Sequence, residues 1–178
     1  MSNYFNELKR AMNFLGQQYN TMFMGQSVLY KGTAIFNTLE GVPDSKRLEM
    51  CVAEEMQSGM SLGMALEGLV PISIFPRMDF MMCCMNSLVN HIDKIGIMSQ
   101  GEYKPKIIIR TALGSIDPLN PGPQHCNDHF LTLVHALKTV EVIKLECAED
   151  IFPAYQYAYC RDDGRSTLLI EISDKLNS

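Results

Sequence analysis

The sequence predicts an α/β fold, a three-layer sandwich built on a mostly parallel β-sheet. Short apolar runs rich in β-branched residues alternate along the chain with segments of helical periodicity. This alternation is typical of strands joined by crossover helices, which cover both faces of a parallel sheet. The chain has 178 residues, of which 47% are hydrophobic and 20% are charged. These values predict a single domain, residues 1–178, with a full core.

The first half of the chain opens with a predicted amphipathic helix over residues 3–16. Phe5, Leu8, Met12 and Leu15 recur there at helical spacing, with charged residues between them. The elements predicted after it are strands at 21–24, 48–52 and 69–75 and helices at 54–67 and 79–95. Each predicted strand is a short apolar run, and each predicted helix is longer and carries mixed polarity.

The second half continues the pattern and adds one long irregular segment. Strands are predicted at 106–110, 139–143 and 167–172, and a helix at 147–160. Residues 111–128 are rich in glycine and proline and follow a predicted strand directly. Loops of this length are usually functional or disordered, and ligands of α/β sheets bind at the carboxyl ends of strands. The segment is therefore a candidate binding loop.

Composition excludes several classes of function. The net charge of -5 is spread along the chain and no basic patch with interleaved aromatic residues occurs, so nucleic-acid binding is not expected. Apolar stretches fall short of the roughly 20 residues that a membrane-spanning helix needs. The six cysteines lack C-x-x-C spacing, which predicts reduced thiols in a cytoplasmic protein and no zinc site. His125 and His129 lie four residues apart, but no further metal ligands are apparent.

The segment 51–63 is the most informative part of the sequence. Glu54 and Glu55 begin a predicted helix, where acidic residues favour the positive end of the helix dipole, and Glu54 could alternatively meet a ligand. Because they are adjacent, the two side chains point in different directions. Gly59 and Gly63 are one turn apart and share a face, along which a second backbone could pack closely.

Two further residues are candidates for a site. Phe80 follows the predicted strand at 69–75, where an aromatic ring can stack on a planar ligand, although a lone phenylalanine is more often part of the core. His125 lies in the loop 111–128, where exposed histidines can serve function. Phosphate-binding, zinc-protease and serine-hydrolase motifs of the common types are absent from the sequence.

Several short motifs occur in one order between residues 48 and 172. They are Ala53-Glu54 with the helix that runs to Gly63, Glu67-Gly-Leu-Val-Pro71, Asp79-Phe80, Asn90, Met98-Ser-Gln-Gly101, Ile109-Arg-Thr111, Pro123-Gln-His125 and Cys160-Arg-Asp162. In this order they resemble the pyrimidine-binding domain of thiamine-diphosphate enzymes. The similarity is greatest to the beta subunits of pyruvate and branched-chain 2-oxo acid dehydrogenases and is more distant to transketolase. Residues 76–78 and the loop 115–121 depart from the family pattern.

The resemblance implies a role for each matching residue. Glu54 would hydrogen-bond N1′ of the cofactor's aminopyrimidine and so activate thiamine diphosphate, Phe80 would stack on that ring, and His125 would approach the substrate. Gly59 and Gly63 would lie in a subunit interface. The cofactor would supply the carbanion chemistry while the protein controls its tautomer and geometry.

The resemblance also implies partners. The chain lacks the Gly-Asp-Gly motif followed by Asn that holds Mg²⁺ and the diphosphate in such enzymes, so we expect neither that domain nor a further C-terminal domain within it. The implied protein is one subunit of a split enzyme that pairs with an alpha-like subunit, self-associates and acts on a 2-oxo acid. A transketolase-like subunit that transfers ketol groups of a ketose phosphate is the alternative, and a noncatalytic binding or regulatory relic of the fold is another.

Overall fold

The structure is a computed structural model that describes residues 3–116 and 120–176. Six strands form one sheet, in the spatial order β2-β1-β3-β4-β6-β5, and every neighbouring pair is parallel. The strands are β1 (Thr21–Gly25), β2 (Arg47–Glu49), β3 (Val70–Phe75), β4 (Ile108–Leu113), β5 (Glu141–Lys144) and β6 (Thr167–Ile172). The predicted α/β fold with a mostly parallel sheet is confirmed.

Helices cover both faces of the sheet. The α-helices are α1 (Asn3–Gly16), α2 (Ala34–Thr38), α3 (Glu54–Leu66), α4 (Ile95–Met98), α5 (Phe130–Ala136) and α6 (Ala148–Cys160). On one face of the sheet, α1 and α6 contribute to one hydrophobic cluster. On the other face, α3, α5 and the segment after β3 contribute to a second cluster. The three layers expected from the sequence are therefore present. In the described residues, no helix is long and apolar enough to cross a membrane.

The helix predicted over residues 79–95 is not one regular α-helix. The chain forms a 3₁₀-helix at Met78–Cys84 and a π-helical stretch at Ser87–Ile92. Met78, Met81 and Cys84 are buried at intervals of three residues, which is the repeat of a 3₁₀-helix rather than of an α-helix. The tighter turn keeps all three side chains on the core side.

Three strands have boundaries that differ from the predictions by two residues or more. β4 runs on to Leu113 because β6 pairs with it along its whole length. β5 starts at Glu141 rather than at Thr139 because the preceding backbone amides bind a side chain instead of a strand. β2 is limited to three residues at the edge of the sheet. Helices α2, α4 and α5, which are four to seven residues long, were not predicted from the sequence.

A buried ion pair links β4 to β6. Arg110 donates from Nε and Nη2 to the carboxylate of Glu171 at 2.6 and 3.0 Å, and Tyr155 of α6 donates to the same carboxylate at 2.5 Å. The remaining nitrogen Nη1 of Arg110 donates to Thr38 of α2 at 2.9 Å. Arg110 and Glu171 are both at most 2% exposed. Because a buried charge is costly unless it is paired, this bidentate pair fixes the relative position of two strands and two helices.

Asp93 organises the entry to β5. Its Oδ1 accepts hydrogen bonds from the backbone amides of Lys138, Thr139 and Val140 at 2.7 to 2.9 Å. Burial alone would raise the pKa of Asp93, but the hydrogen bonds from Lys94 and from these amides outweigh it and hold the pKa at about 2. The carboxylate therefore stays ionised while it holds the loop between α5 and β5.

We expect Asp93 to make the stability depend on pH in the acid range. Its folded pKa of about 2 lies below an unfolded value of about 3.9, so its contribution of about 2 kcal/mol is complete above pH 5 and is lost as the pH falls toward 2. Urea unfolding should show wild type losing about 1 kcal/mol more than Asp93→Asn between pH 6 and pH 3. Glu102→Gln, an exposed carboxylate, is the control. Equal pH dependence in wild type and Asp93→Asn would contradict the assignment.

Candidate active site at the carboxyl edge of the sheet

Because the sheet is parallel, the carboxyl ends of all six strands lie along one edge, and the candidate site residues follow strands at this edge. The chain leaves β1 toward β2 and then crosses back to β3 on the other side of β1, so the connections diverge between β1 and β3. Ligands of open α/β sheets bind in the crevice at such a switch point. Gln26 follows β1 at this place, Glu54 starts the helix after β2, and Arg77 and Phe80 follow β3.

Glu54 is the first residue of α3 and is 7% exposed. Gln26 donates from Nε2 to Oε1 of Glu54 at 3.2 Å, which ties the carboxylate to the end of β1. Glu55 is exposed instead, and hydrogen bonds from Asn86 and Ser87 hold the pKa of Glu55 below its usual value. The two adjacent acids therefore lie in different environments, as the sequence predicted. Glu54 faces the sheet edge and Glu55 faces solvent.

Phe80 and His125 form an edge-to-face pair. Their ring centroids are 5.6 Å apart and the rings are inclined at 88°, a favourable aromatic arrangement. Both residues are half-buried. Nδ1 of His125 is buried and has no hydrogen-bond partner among the described residues. Since buried polar atoms are nearly always paired, this nitrogen is a candidate contact for a bound molecule.

The turn after β3 holds the loop that carries His125. Arg77 donates from Nη1 to the carbonyl oxygens of Gly114 and His125 at 2.8 and 3.1 Å. Asp79 accepts from the side-chain amide and the backbone amide of Asn127 at 2.6 and 3.3 Å. The backbone of the loop that carries His125 is therefore held by contacts from both ends of a short segment, Arg77 to Asp79.

Helix α3 has the reverse of the usual polarity for a surface helix. Its inward face carries Gln57, Ser58 and Ser61, and Gln57 donates to Ser73 and to the carbonyl oxygen of Ile74 in β3. Residues on and just before its outward face are apolar and exposed: Val52 (77%), Met56 (46%), Met60 (37%) and Leu66 (42%). Exposed apolar stripes of this kind are typical of interaction surfaces.

Gly59 and Gly63 lie within this outward face. Both are exposed, and a Cβ atom added at either would have no neighbour within 4 Å. No residue that the structure describes therefore requires glycine at these two positions. The helix would be more stable with alanine at both, since glycine in a helix interior costs up to about 1 kcal/mol.

Two cavities lie at opposite edges of the sheet. The cavity at the carboxyl edge has a volume of about 230 Å³ and is lined by residues that follow β1, β3, β4 and β6. A larger one of about 380 Å³ lies at the amino edge, beside residues that precede β4, β5 and β6. The candidate residues Glu54, Phe80 and His125 follow strands, so we assign the site to the carboxyl edge despite the smaller volume.

Cysteine and metal chemistry find no support near these residues. Burial raises the pKa of Cys84, which packs close to the start of α3, to about 11, so its thiol stays protonated and unreactive. Within residues 3–116 and 120–176, no group of three His, Cys, Asp or Glu side chains could hold a metal ion. The arrangement instead offers a buried carboxylate, an aromatic ring and an imidazole, which suit binding and proton transfer.

Some residues of this edge were not recognised in the sequence. Gln26, Arg77 and Asn127 each contact a candidate residue or the loop that carries it. The signal available for Gln26 is a polar residue directly after a buried strand. Arg77 and Asn127 belong to turns whose contacts join positions 37 to 48 residues apart, which local pattern does not reveal.

Comparisons with known proteins are consistent with this geometry. No family model matches the sequence. A pyruvate dehydrogenase E1 component subunit beta from Cyanidium caldarium is 29% identical over 145 residues, which are 79% of this chain and 42% of that protein. The mitochondrial protein of the same name from Ascaris suum is 27% identical over 106 residues, 60% of this chain and 29% of that protein. The matched segments thus span less than half of these relatives.

Solved structures share the fold. A split-gene transketolase, described as an inactive beta4 tetramer, matches with a TM-score of 0.70 and 16% identity over 93% of this chain and 49% of its own. Transketolase from Leishmania mexicana matches with a TM-score of 0.72 and 13% identity over 93% of this chain and 24% of its own. The resemblance to the pyrimidine-binding domain of thiamine-diphosphate enzymes, inferred from the sequence, is confirmed.

Proposed function

We propose that this chain is the pyrimidine-binding subunit of a split thiamine-diphosphate-dependent enzyme that acts on a 2-oxo acid, in the manner of a dehydrogenase beta subunit. The observation that carries the proposal is the Phe80–His125 pair at the same sheet edge as the buried carboxylate of Glu54. The similarity to the E1 beta subunits supports the 2-oxo acid branch. The free state of all six cysteines supports a cytoplasmic location.

The residues present fit the cofactor that the resemblance implies. When bound, thiamine diphosphate supplies a carbanion equivalent for attack on a substrate carbonyl. Glu54 would hold the aminopyrimidine through a hydrogen bond, oriented by Gln26, and Phe80 would offer its ring to that heterocycle. His125, whose buried Nδ1 is unpaired among the described residues, would hydrogen-bond the substrate and move a proton there.

The rest of the site would come from an alpha-like partner subunit. We propose that this subunit binds the diphosphate together with Mg²⁺, and that the outward face of α3 packs against another subunit. The apolar residues of that face and the open space at Gly59 and Gly63 support the interface. The inactive beta4 tetramer of the split transketolase is a precedent for self-association of such a subunit without its partner.

A second candidate is a transketolase-like subunit that transfers ketol groups of a ketose phosphate. The solved structures with this fold favour it, because they are transketolases. The two candidates share the proposed cofactor and the roles of Glu54, Phe80 and His125. Assay of the reconstituted pair with pyruvate and with a ketose phosphate separates them.

Replacing Glu54 by glutamine should reduce turnover by the reconstituted pair at least about 100-fold, because the amide cannot exchange a proton with the cofactor. Glu55→Gln is the matched control, since Glu55 is adjacent, begins the same helix and is exposed. Steady-state kinetics of both variants give the comparison. Full activity of Glu54→Gln would overturn the proposal, and a wild-type pair that binds cofactor without turnover would favour a noncatalytic relic.

The isolated chain should bind thiamine diphosphate weakly or not at all, because the proposed diphosphate and Mg²⁺ contacts belong to the partner. Isothermal titration calorimetry of the chain alone, and of the chain with its partner, measures the difference. Micromolar binding by the isolated chain would show that the cofactor site does not depend on the partner.

Changing Gly59 and Gly63 to alanine should have opposite effects on the stability of the chain and on its association. The isolated chain should gain up to about 1 kcal/mol of stability per substitution, because each Cβ enters open space on a helix. Association should weaken, because the helices can no longer approach as closely. Thermal unfolding and analytical ultracentrifugation measure the two effects, with Gly96→Ala in α4, where a Cβ atom makes only ordinary van der Waals contact, as a control outside this face. Unchanged association of the double variant would contradict the interface.

A further inference from the structure

Arg77 is a charged residue at the carboxyl edge for which no role has been assigned beyond supporting a loop. It lies two residues after the end of β3, is half-buried, and departs from the pattern of the resembled family. A guanidinium carries five N–H donors, two of them on Nη1. Nη1 of Arg77 uses its donors on the carbonyl oxygens of Gly114 and His125.

The other edge of this guanidinium is unused. Among residues 3–116 and 120–176, neither Nε nor Nη2 of Arg77 has a hydrogen-bond or ion-pair partner. The Nε–H and Nη2–H groups point the same way and form the fork that binds both oxygens of a carboxylate or phosphate. By contrast, Arg110 and Arg161 each place this same fork on a carboxylate of the chain.

The surroundings of Arg77 suit a small anion. Arg77 lines the cavity of about 230 Å³ at the carboxyl edge, together with Ser27 and Ser173. The described lining contains no carboxylate and no other basic side chain. The carbonyl oxygen that Arg77 holds belongs to His125, so its guanidinium lies next to the segment that carries the proposed catalytic imidazole.

We propose that Arg77 receives the anionic group of the substrate, a carboxylate or a phosphate, through its Nε/Nη2 fork and so determines which substrates bind. This inference rests on the proposed function, because the anion is that of the proposed substrate. The two carbonyl contacts hold the guanidinium in one orientation before substrate arrives, which reduces the entropy lost on binding. Ser27 and Ser173 line the same cavity, where their hydroxyl groups would be available as further donors to the anion.

The variant Arg77→Lys distinguishes recognition from simple support of the loop. A lysine ammonium can still donate to the two carbonyl oxygens, but it has no fork and binds an oxyanion as a point charge. In the reconstituted pair, we expect KM to rise about tenfold or more while kcat stays within about threefold, since the anion contact is equally strong in the ground state and the transition state. A fall in kcat at constant KM would make Arg77 a brace for His125 and overturn the inference.

Assays of Arg77→Lys with two different substrates identify the anion. A rise in KM for pyruvate alone assigns the fork to a carboxylate, and a rise for a ketose phosphate alone assigns it to a phosphate. Arg165→Lys at the amino edge of the sheet is the matched control, because its guanidinium also donates to a backbone carbonyl, that of Thr139. Its kinetic constants should match wild type.

Nuclear magnetic resonance on the full chain decides the inference even if the pair turns over neither substrate. The Nε–H signal of Arg77 should shift with millimolar pyruvate or inorganic phosphate and should stay in place with acetamide, a neutral molecule of similar size. The Nε–H signal of Arg110, which is bound to Glu171, is the internal reference. A signal of Arg77 that neither anion moves would overturn the inference, whereas absent turnover with a shifted signal would count only against the proposed function.

Discussion

The common direction of the six strands is the constraint on which the rest of this molecule depends. Because every strand pair is parallel, the turns that leave the strands meet at one edge and the turns that enter them meet at the other. The buried pair of Arg110 and Glu171 keeps β4 and β6 in register across this arrangement. The exit edge then gathers Glu54, Phe80 and His125 from separate parts of the chain, while the entry edge is organised by Asp93 and carries no candidate residue.

At the exit edge, neighbouring turns are joined to one another by hydrogen bonds. The segment from Arg77 to Asp79 binds the loop of His125 through backbone and side-chain contacts, and Gln26 binds Glu54 in the same way across the switch point. Loops positioned by a rigid scaffold are where proteins place binding groups. The same turn therefore holds the backbone of the His125 loop, and among the described residues it leaves the Nε/Nη2 fork of Arg77 without a partner. In this way it joins the proposed chemistry to the proposed recognition of substrate.

Local pattern in the sequence predicts the layered fold well, because most strands are apolar runs and the longer helices have clear periodicity. It fails where tertiary contacts set the backbone. The 3₁₀ repeat of Met78, Met81 and Cys84 depends on core packing, and the start of β5 depends on amides that bind Asp93. For the site, sequence order identifies Glu54, Phe80 and His125 as candidates, and their roles remain predictions. The contacts of Arg77 arise only when distant turns meet, so no spacing rule reveals them.

Because the inward face of α3 is polar and its outward face is apolar, the helix uses different faces for folding and for the proposed assembly. The helix docks on its own sheet through Gln57, which donates to β3, and through Ser61, which donates to the sulfur of Met24 in β1, so these contacts lie within the chain. Met56 and Met60 are exposed in the chain by itself. If the proposed partner covers them, a chain made in excess of that partner would be folded but prone to aggregation and to methionine oxidation. The proposed interface would then require balanced synthesis of the two subunits.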